Sequence, residues 1–126
     1  MAAEQVHCIV IVDPVPEHIL PLAENVTRYG FAADICRPED WSTRVIFGTT
    51  AALVVGPNMR SLDLWSFAKE LREHSDLPVI ALAFDPSPDQ VSLALEGGVD
   101  MCLAADTLLS ARQVVAAIRA IERRAQ

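Results

Sequence analysis

Five short apolar segments, each followed by a segment with helical spacing, constrain the fold of this chain more than any other feature. In the clearest pair, residues 51–55 (AALVV) have the length and uninterrupted apolar character of a strand buried on both faces. Gly56 and Pro57 end that strand, because this dipeptide interrupts regular structure. The apolar residues that follow recur on one face of a helix: Leu64, Phe67, Ala68 and Leu71.

The same alternation along the whole chain predicts a five-stranded sheet. The other strand segments are residues 6–12, 31–36, 79–84 and 101–105. Five strand–helix units with short connections predict a parallel sheet with helices on both faces. We expect a single α/β domain of the flavodoxin-like type, with strand order 2-1-3-4-5 and five helices. Asp34 interrupts the second strand, which we therefore place nearer an edge.

Proline and glycine mark the predicted helix ends. Pro21 fits the first helix only if that helix begins near Leu20, since a proline inside a helix costs about 3 kcal/mol, and Gly30 is a natural stop. Asp106 or Thr107 is expected to cap the last helix. The predicted inner faces are Ile19, Leu22, Ala23 and Val26 in the first helix, Trp41 and Val45 in a short second helix, Val91, Ala94 and Leu95 in a fourth helix over residues 88–96, and Leu108, Ala111, Val114, Val115, Ile118 and Ile121 in the last.

Composition and charge exclude several classes of protein. The chain has 126 residues, 52% of them apolar, which predicts one domain over residues 1–126, with residues 122–126 similar to the start of a linker. No apolar run approaches the roughly 18 residues of a membrane helix. The N-terminal segment has an acid where an export signal has basic residues, so we expect a cytoplasmic protein without membrane contact. A net charge of −7 argues against direct nucleic-acid contact.

The cysteines and histidines show no metal-binding or catalytic spacing. Cys8, Cys36 and Cys102 contain no CxxC pair and lie in apolar, strand-like contexts, so we expect small hydrophobic side chains in a reducing compartment. The histidines are scattered over different elements and are expected at the solvated surface: His7, His18 and His74.

Three stretches resemble those of a known family. They are residues 10–16 (VIVDPVP), residues 53–71, and residues 78–82 followed by 96–105. Their order and spacing resemble the receiver domain of bacterial two-component response regulators, over nearly the full length of the chain. The resemblance implies the fold expected above, also called CheY-like, and a regulatory function.

The same register places different residues where receivers of this family carry their phosphorylation chemistry. The nucleophilic aspartate at the end of the third strand corresponds to Gly56, which cannot accept a phosphoryl group. Of two adjacent acids that hold Mg²⁺ in the family, Asp13 is present, but its neighbour is Pro14. The family's hydroxyl, lysine, following proline and aromatic switch residue correspond to Ala83, Ala105, Asp106 and Cys102. We therefore predict an atypical, degenerate receiver (a pseudo-receiver) with no catalytic residue, metal or other cofactor.

Two interpretations of Asp13 stay open at this point. It is either a remnant metal ligand or a loop acid that caps the first helix or accepts from nearby backbone N–H groups. Asp63 and Asp100 are interpreted as a helix-start acid and a turn acid, and no partner is identifiable for either from the sequence.

A receiver-like fold without the residues for phosphorylation predicts a regulatory module that acts by protein interaction. Receivers of this family commonly signal through the face made by the fourth helix, fifth strand and fifth helix, and here that region is unusually apolar. With Leu95 assigned to the core, Leu93 is expected to be exposed and to mark a partner site. The predicted interaction face comprises Val91, Leu93, Leu95, Met101, Leu103, Arg112 and Arg119. The expected partner is another protein or a second copy of the chain, and any DNA binding would belong to a following domain of a transcriptional regulator.

A small-molecule sensor is the alternative function. The former phosphorylation cleft would be lined by Pro14, Gly56, Pro57, Ala83 and Ala105. Such a cleft is more apolar than a metal site and suits an apolar metabolite, unless Pro14, Met59 and Phe84 fill it. An enzyme is not expected, because the sequence shows no Ser/His/Asp or Cys/His arrangement and no phosphate-binding glycine loop.

Overall fold

A computed structural model of the protein describes residues 7–46, 49–105 and 110–125. The described residues form five parallel strands in the order β2-β1-β3-β4-β5, which confirms the predicted topology. The strands are β1 (Cys8–Val12), β2 (Ala32–Cys36), β3 (Thr50–Val55), β4 (Val79–Ala83) and β5 (Met101–Ala104). The helices are α1 (Leu20–Val26), α2 (Trp41–Arg44), α3 (Ser61–His74), α4 (Pro88–Gly97) and α5 (Ser110–Ala125), with short 3-10 turns at Pro16–Ile19, Thr27–Tyr29 and Pro38–Asp40.

Two apolar clusters, one on each face of the sheet, form the core. Successive side chains of a strand point to opposite faces, so Ile9 and Ile11 pack under α1 and α5 while Val10 and Val12 pack against α2 and α3. β1 and β3 are buried on both faces, as their uninterrupted apolar sequences predict. β2 is an edge strand as expected, and its Asp34 pairs with Arg44 at 2.9 Å on the surface.

The helix boundaries follow the proline and glycine signals. α1 begins at Leu20 with Pro21 in its first turn, where the missing N–H of proline costs no helical hydrogen bond. Gly30 has a φ of 90°, the left-handed conformation that suits the end of a helical segment. The inner face of α5 is buried from Ala111 to Ile118, as predicted, and Ile121 packs partly buried against it. The expected cap residues Asp106 and Thr107, and Leu108, lie outside the described residues.

The rotation of α4 differs from the prediction. Leu95 is 47% exposed, whereas Leu93 is half-buried, so the assignment of Leu95 to the core and Leu93 to the surface is wrong. α4 packs against α3 through small residues: Ala94 is buried, and a β-carbon at Gly97 would lie 2.9 Å from the Trp65 ring. Close approach of the two helices therefore sets the rotation.

The strand ends also differ slightly from the prediction. β4 stops at Ala83, and Phe84, which was included in the strand, is 62% exposed. β5 stops at Ala104, one residue short of the predicted end. Among the helices of the described residues, none is both long and apolar enough to cross a bilayer.

Cys36 provides a pH-dependent contribution to stability. Burial is the main cause that raises the pKa of its thiol from 9.0 to about 11, with Arg44 opposing the shift and Asp34 adding to it. Because the folded-state pKa lies above the unfolded value, the contribution is complete below about pH 9 and is lost as the pH rises through about 11. We expect the free energy of unfolding, measured in urea, to fall more between about pH 8 and about pH 10.5 for the native protein than for the Cys36→Ala variant. An equal loss in both proteins would contradict the assignment.

Candidate functional site

Gly56 is the central residue of the carboxyl edge of the sheet. It is buried, it directly follows β3, and its backbone N–H donates to the Val12 carbonyl at 2.8 Å. That hydrogen bond ties the end of β3 to the end of β1. Gly56 therefore lies next to Asp13, the residue that follows β1.

Asp13 is fully buried, and both oxygens of its carboxylate accept hydrogen bonds. Oδ1 accepts from the Val15 backbone N–H at 2.7 Å and from Asn58 Nδ2 at 3.0 Å, and Oδ2 accepts from the Asn58 backbone N–H at 3.2 Å. These are the contacts of a loop acid that accepts from backbone groups, and α1 has no side-chain cap. Asn58 Nδ2 also lies 3.2 Å from His18 Nδ1. Asp13 thus joins the loops that follow β1 and β3.

The space that a side chain at position 56 would need is taken by Asp13. A β-carbon built on Gly56 would lie 2.0 Å from Asp13 Oδ2 and 2.8 Å from its Cγ, far inside van der Waals contact. A residue other than glycine therefore requires Asp13 to leave its three donors or the β3 loop to move. The missing side chain and the conformation of Asp13 depend on each other.

The residues at this edge do not fit a magnesium ion. Mg²⁺ needs carboxylate oxygens free to coordinate in octahedral geometry, and both oxygens of Asp13 are already acceptors of N–H groups. The Ala105 N–H donates to the Ala83 carbonyl at 2.8 Å, so these two positions meet at the same edge with no polar side-chain group. The described part of the chain contains no cluster of three His, Cys, Asp or Glu side chains suited to a metal.

The residues that would close a sensor cleft do not gather in it. Pro14 is exposed and Phe84 is 62% exposed, while Met59 packs against the core cluster under α3. A carboxylate, that of Asp13, lies beside Gly56 at the base of this edge. A charged base is unfavourable for an apolar ligand, because such a ligand offers the carboxylate no polar partner and would have to displace it from its hydrogen bonds or bind against it.

The predicted interaction face is only partly at the surface. Leu95, Arg112 and Arg119 are exposed, whereas the other four are half-buried: Val91, Leu93, Met101 and Leu103. Met101 and Leu103 pack against the cluster beneath α1 and α5. The exposed part of the face is therefore one leucine on α4 and two arginines on α5.

A second polar network was missed by the sequence reasoning. Arg72, in the last turn of α3, donates from Nε to the Gly98 carbonyl at 2.9 Å and from Nη1 to the Leu77 carbonyl at 2.6 Å. Its Nη2 pairs with Asp100, the acid for which no partner was identified, and Asp100 also accepts from the Val79 N–H at 2.8 Å. An arginine near the carboxyl end of a helix is a weak signal for such a role, since it also suits the helix dipole. Asp63 lies exposed in the first turn of α3, as predicted.

Comparison with solved structures identifies the fold. A two-component response regulator from Clostridium difficile superposes with a TM-score of 0.79 and 19% identity, covering 95% of this chain and 98% of that chain. An orphan response regulator of H. pylori gives a TM-score of 0.72 and 18% identity, covering 98% of this chain and 100% of that chain. An atypical orphan response regulator, whose structure revealed a phosphorylation-independent regulatory mechanism, gives 0.71 and 18%, covering 89% and 95%.

No family model and no curated protein matches the chain. At 18–19% identity, the structural likeness establishes the fold. The chain has the fold of response regulator receiver domains, which confirms the resemblance drawn from its sequence.

Proposed function

We propose that this chain is a phosphorylation-independent, receiver-like regulatory module that acts through protein–protein interaction or dimerisation. The observation that carries the proposal is the Asp13 carboxylate, which occupies the space of a phosphoacceptor side chain at Gly56. A receiver-like domain with no room for a side chain at this position cannot be phosphorylated there. Its regulatory activity would then depend on the surfaces with which it binds other proteins. The proposed unit spans residues 1–126, with residues 122–126 as the start of a linker, and it is not an enzyme.

The structural neighbours make this function reasonable. One of them is an orphan regulator and another is described as phosphorylation-independent. By analogy, we assign this chain to the same kind of regulation in the cytoplasm, as the N-terminal regulatory domain of a bacterial transcriptional regulator. The net charge of −7 disfavours DNA contact by this domain, so we assign any DNA binding to a following domain.

The proposed interaction face is centred on Leu95. This side chain is 47% exposed on α4, next to the exposed Glu96, whereas Arg112 lies on the α1 side of α5, beside Asn25 and Tyr29. An apolar centre with a charged rim is the usual composition of a protein interface. A twofold-symmetric dimer would place one Leu95 against its copy.

Sedimentation tests this face. We expect the purified chain to dimerise over a concentration series and Leu95→Arg to weaken the dimer about tenfold or more, because it places a charge in an apolar centre. Leu62→Arg is the matched control, since Leu62 is 72% exposed on α3 and away from the face. Addition of acetyl phosphate and Mg²⁺ is expected to leave both the mass and the dimer unchanged. A phosphoryl adduct would contradict phosphorylation independence, and an equal effect of both leucine variants would contradict the face.

The alternative, a sensor of an apolar metabolite in the former phosphorylation cleft, has less support. The fully buried carboxylate of Asp13 lies at the base of that cleft and holds its two loops together. An apolar ligand would have to displace this carboxylate or bind against it.

A further inference from the structure

A groove between α2 and α3 extends from the loop that follows β3, next to Asn58, and Leu95 is not among its lining residues. Its volume is about 950 Å³, and it is open along one side. Trp41, Val45, Met59 and Phe67 form its apolar floor. Glu39, Asp63 and Glu70 form its acidic rim, and Ser42 and Ser66 also line it.

The floor is a fixed part of the core. The Trp41 and Phe67 rings meet edge to face, with centroids 6.2 Å apart and planes at 80°. Both side chains and Val45 belong to the buried cluster on this face of the sheet, and Met59 packs partly buried against it. A ligand would therefore meet a preformed aromatic surface with one adaptable methionine.

The rim is acidic, and the basic side chain among the described lining residues is that of His74. Glu39 precedes α2, and Asp63 and Glu70 lie on α3 seven residues apart, or about 10 Å at 1.5 Å per residue. No lysine or arginine lines the groove. Within residues 7–46, 49–105 and 110–125, the ion pairs are those of Arg44 and Arg72, so the rim carboxylates have no cationic partner there.

We propose that this groove binds a basic amphipathic helix of a partner protein. Two cations seven residues apart on the incoming helix would match Asp63 and Glu70, and an apolar side chain between them would rest on Trp41 and Phe67. Complementary charge at the rim orients the helix and speeds its association, while the apolar anchor supplies most of the affinity.

A second copy of this chain is a poorer occupant. α5 offers exposed arginines at 112, 119 and 123 with suitable spacing. The large apolar side chains exposed in the described part of the chain are Leu20, Tyr29, Ile46, Leu62, Phe84 and Leu95, all outside α5. α5 would thus bring charge without an anchor for the aromatic floor.

The probe is a synthetic alanine-rich helical peptide of about 16 residues, long enough for partial helicity. It carries lysines seven residues apart with two leucines between them on the same face. Two control peptides are used. One has glutamates in place of the lysines, and the other has the leucines moved to the opposite face of the helix. We expect saturable binding of the first peptide by calorimetry, with amide shift changes confined to α2, α3 and the loop that contains Met59, and no binding of the controls.

Two charge-reversal variants on one helix decide whether the rim is specific. Glu70→Lys is expected to weaken peptide binding about fivefold or more, whereas Glu73→Lys, the same charge change at an exposed α3 position outside the groove, leaves it nearly unchanged. Ser66→Trp, at an exposed groove position, is expected to block binding while thermal unfolding shows an intact fold.

Three results would overturn the proposal. They are no binding of the lysine peptide to the native chain, equal weakening by Glu70→Lys and Glu73→Lys, or shift changes centred on Leu95 instead of the groove. Competition of the peptide with self-association would assign the groove to a second copy and would also contradict the proposed occupant. The inference goes beyond the proposed function and is independent of it, because Leu95→Arg can abolish dimerisation without altering peptide binding.

Discussion

Gly56→Asp, which places an aspartate directly after β3, is expected to destabilise the protein by about 3 kcal/mol or more and to leave it unphosphorylated. The new β-carbon would lie 2.0 Å from Asp13 Oδ2, so either Asp13 must leave its donors or the loop must shift. The substitution also buries a second carboxylate beside Asp13 with no cation at Ala83 or Ala105. Urea unfolding measures the loss, and mass spectrometry after incubation with acetyl phosphate and Mg²⁺ measures phosphorylation.

Gly56→Ala separates the steric effect from the charge. It introduces the same β-carbon without a carboxylate, and we expect a loss of about 1–3 kcal/mol. In an Asp13→Ala background the contacts with Oδ2 and Cγ, the two nearest atoms, are gone, and the β-carbon of residue 13 stays at 2.9 Å. The cost of Gly56→Ala should therefore fall in that background, and the difference is the coupling energy of the pair. An equal cost in both backgrounds would show that Asp13 does not block position 56.

The strands and most of the core were predictable because apolar runs and period-3.6 faces record burial directly. The four α3 residues assigned to the core from spacing alone are all buried: Leu64, Phe67, Ala68 and Leu71. α4 shows the limit of this reasoning. Ala94 was placed on the inner face correctly, but Leu95 was placed there because of its large apolar side chain. The contact with α3 instead runs through Ala94 and Gly97, and the close approach that a glycine permits gives no apolar signal in the sequence.

The proposed absence of phosphorylation chemistry also came from the sequence, whereas the hydrogen bonds around Asp13 did not. Register alone placed Gly56 at the phosphoacceptor position. The hydrogen bonds from Asn58 to Asp13 join residues 45 apart in the sequence, and no local pattern specifies them. The α2–α3 groove could not be predicted for the same reason. Glu39 precedes α2 and Glu70 lies on α3, and only folding brings these two segments together.

Arg72→Ala is expected to cost about 2–4 kcal/mol of folding stability, the second large effect. Arg72 closes the connections at the amino edge of the sheet: its guanidinium donates to the carbonyls of Leu77 and Gly98 and pairs with Asp100. Its side chain is only 24% exposed, so removal leaves carbonyls and a carboxylate that solvent compensates incompletely. Gly98 is fitted to this role, since its φ is +112° and a β-carbon there would lie 2.6 Å from Arg72 Cγ.

Arg44→Ala is the matched control, because Arg44 pairs with Asp34 at 2.9 Å with its side chain 45% exposed. Exposed ion pairs of this kind contribute about 0–1 kcal/mol, so urea unfolding should separate the two variants clearly. Arg72→Lys is expected to recover little, since the three N–H groups of an ammonium sit on one nitrogen, whereas Nε, Nη1 and Nη2 of the guanidinium each reach a different acceptor. If Arg72→Ala cost no more than Arg44→Ala, the network would be a surface ion pair, and the α3–β4 and α4–β5 connections would be held by their backbone contacts alone. The expected difference instead places Arg72 among the residues that fix where α4 ends and where β5 begins, and through them the position of the exposed Leu95.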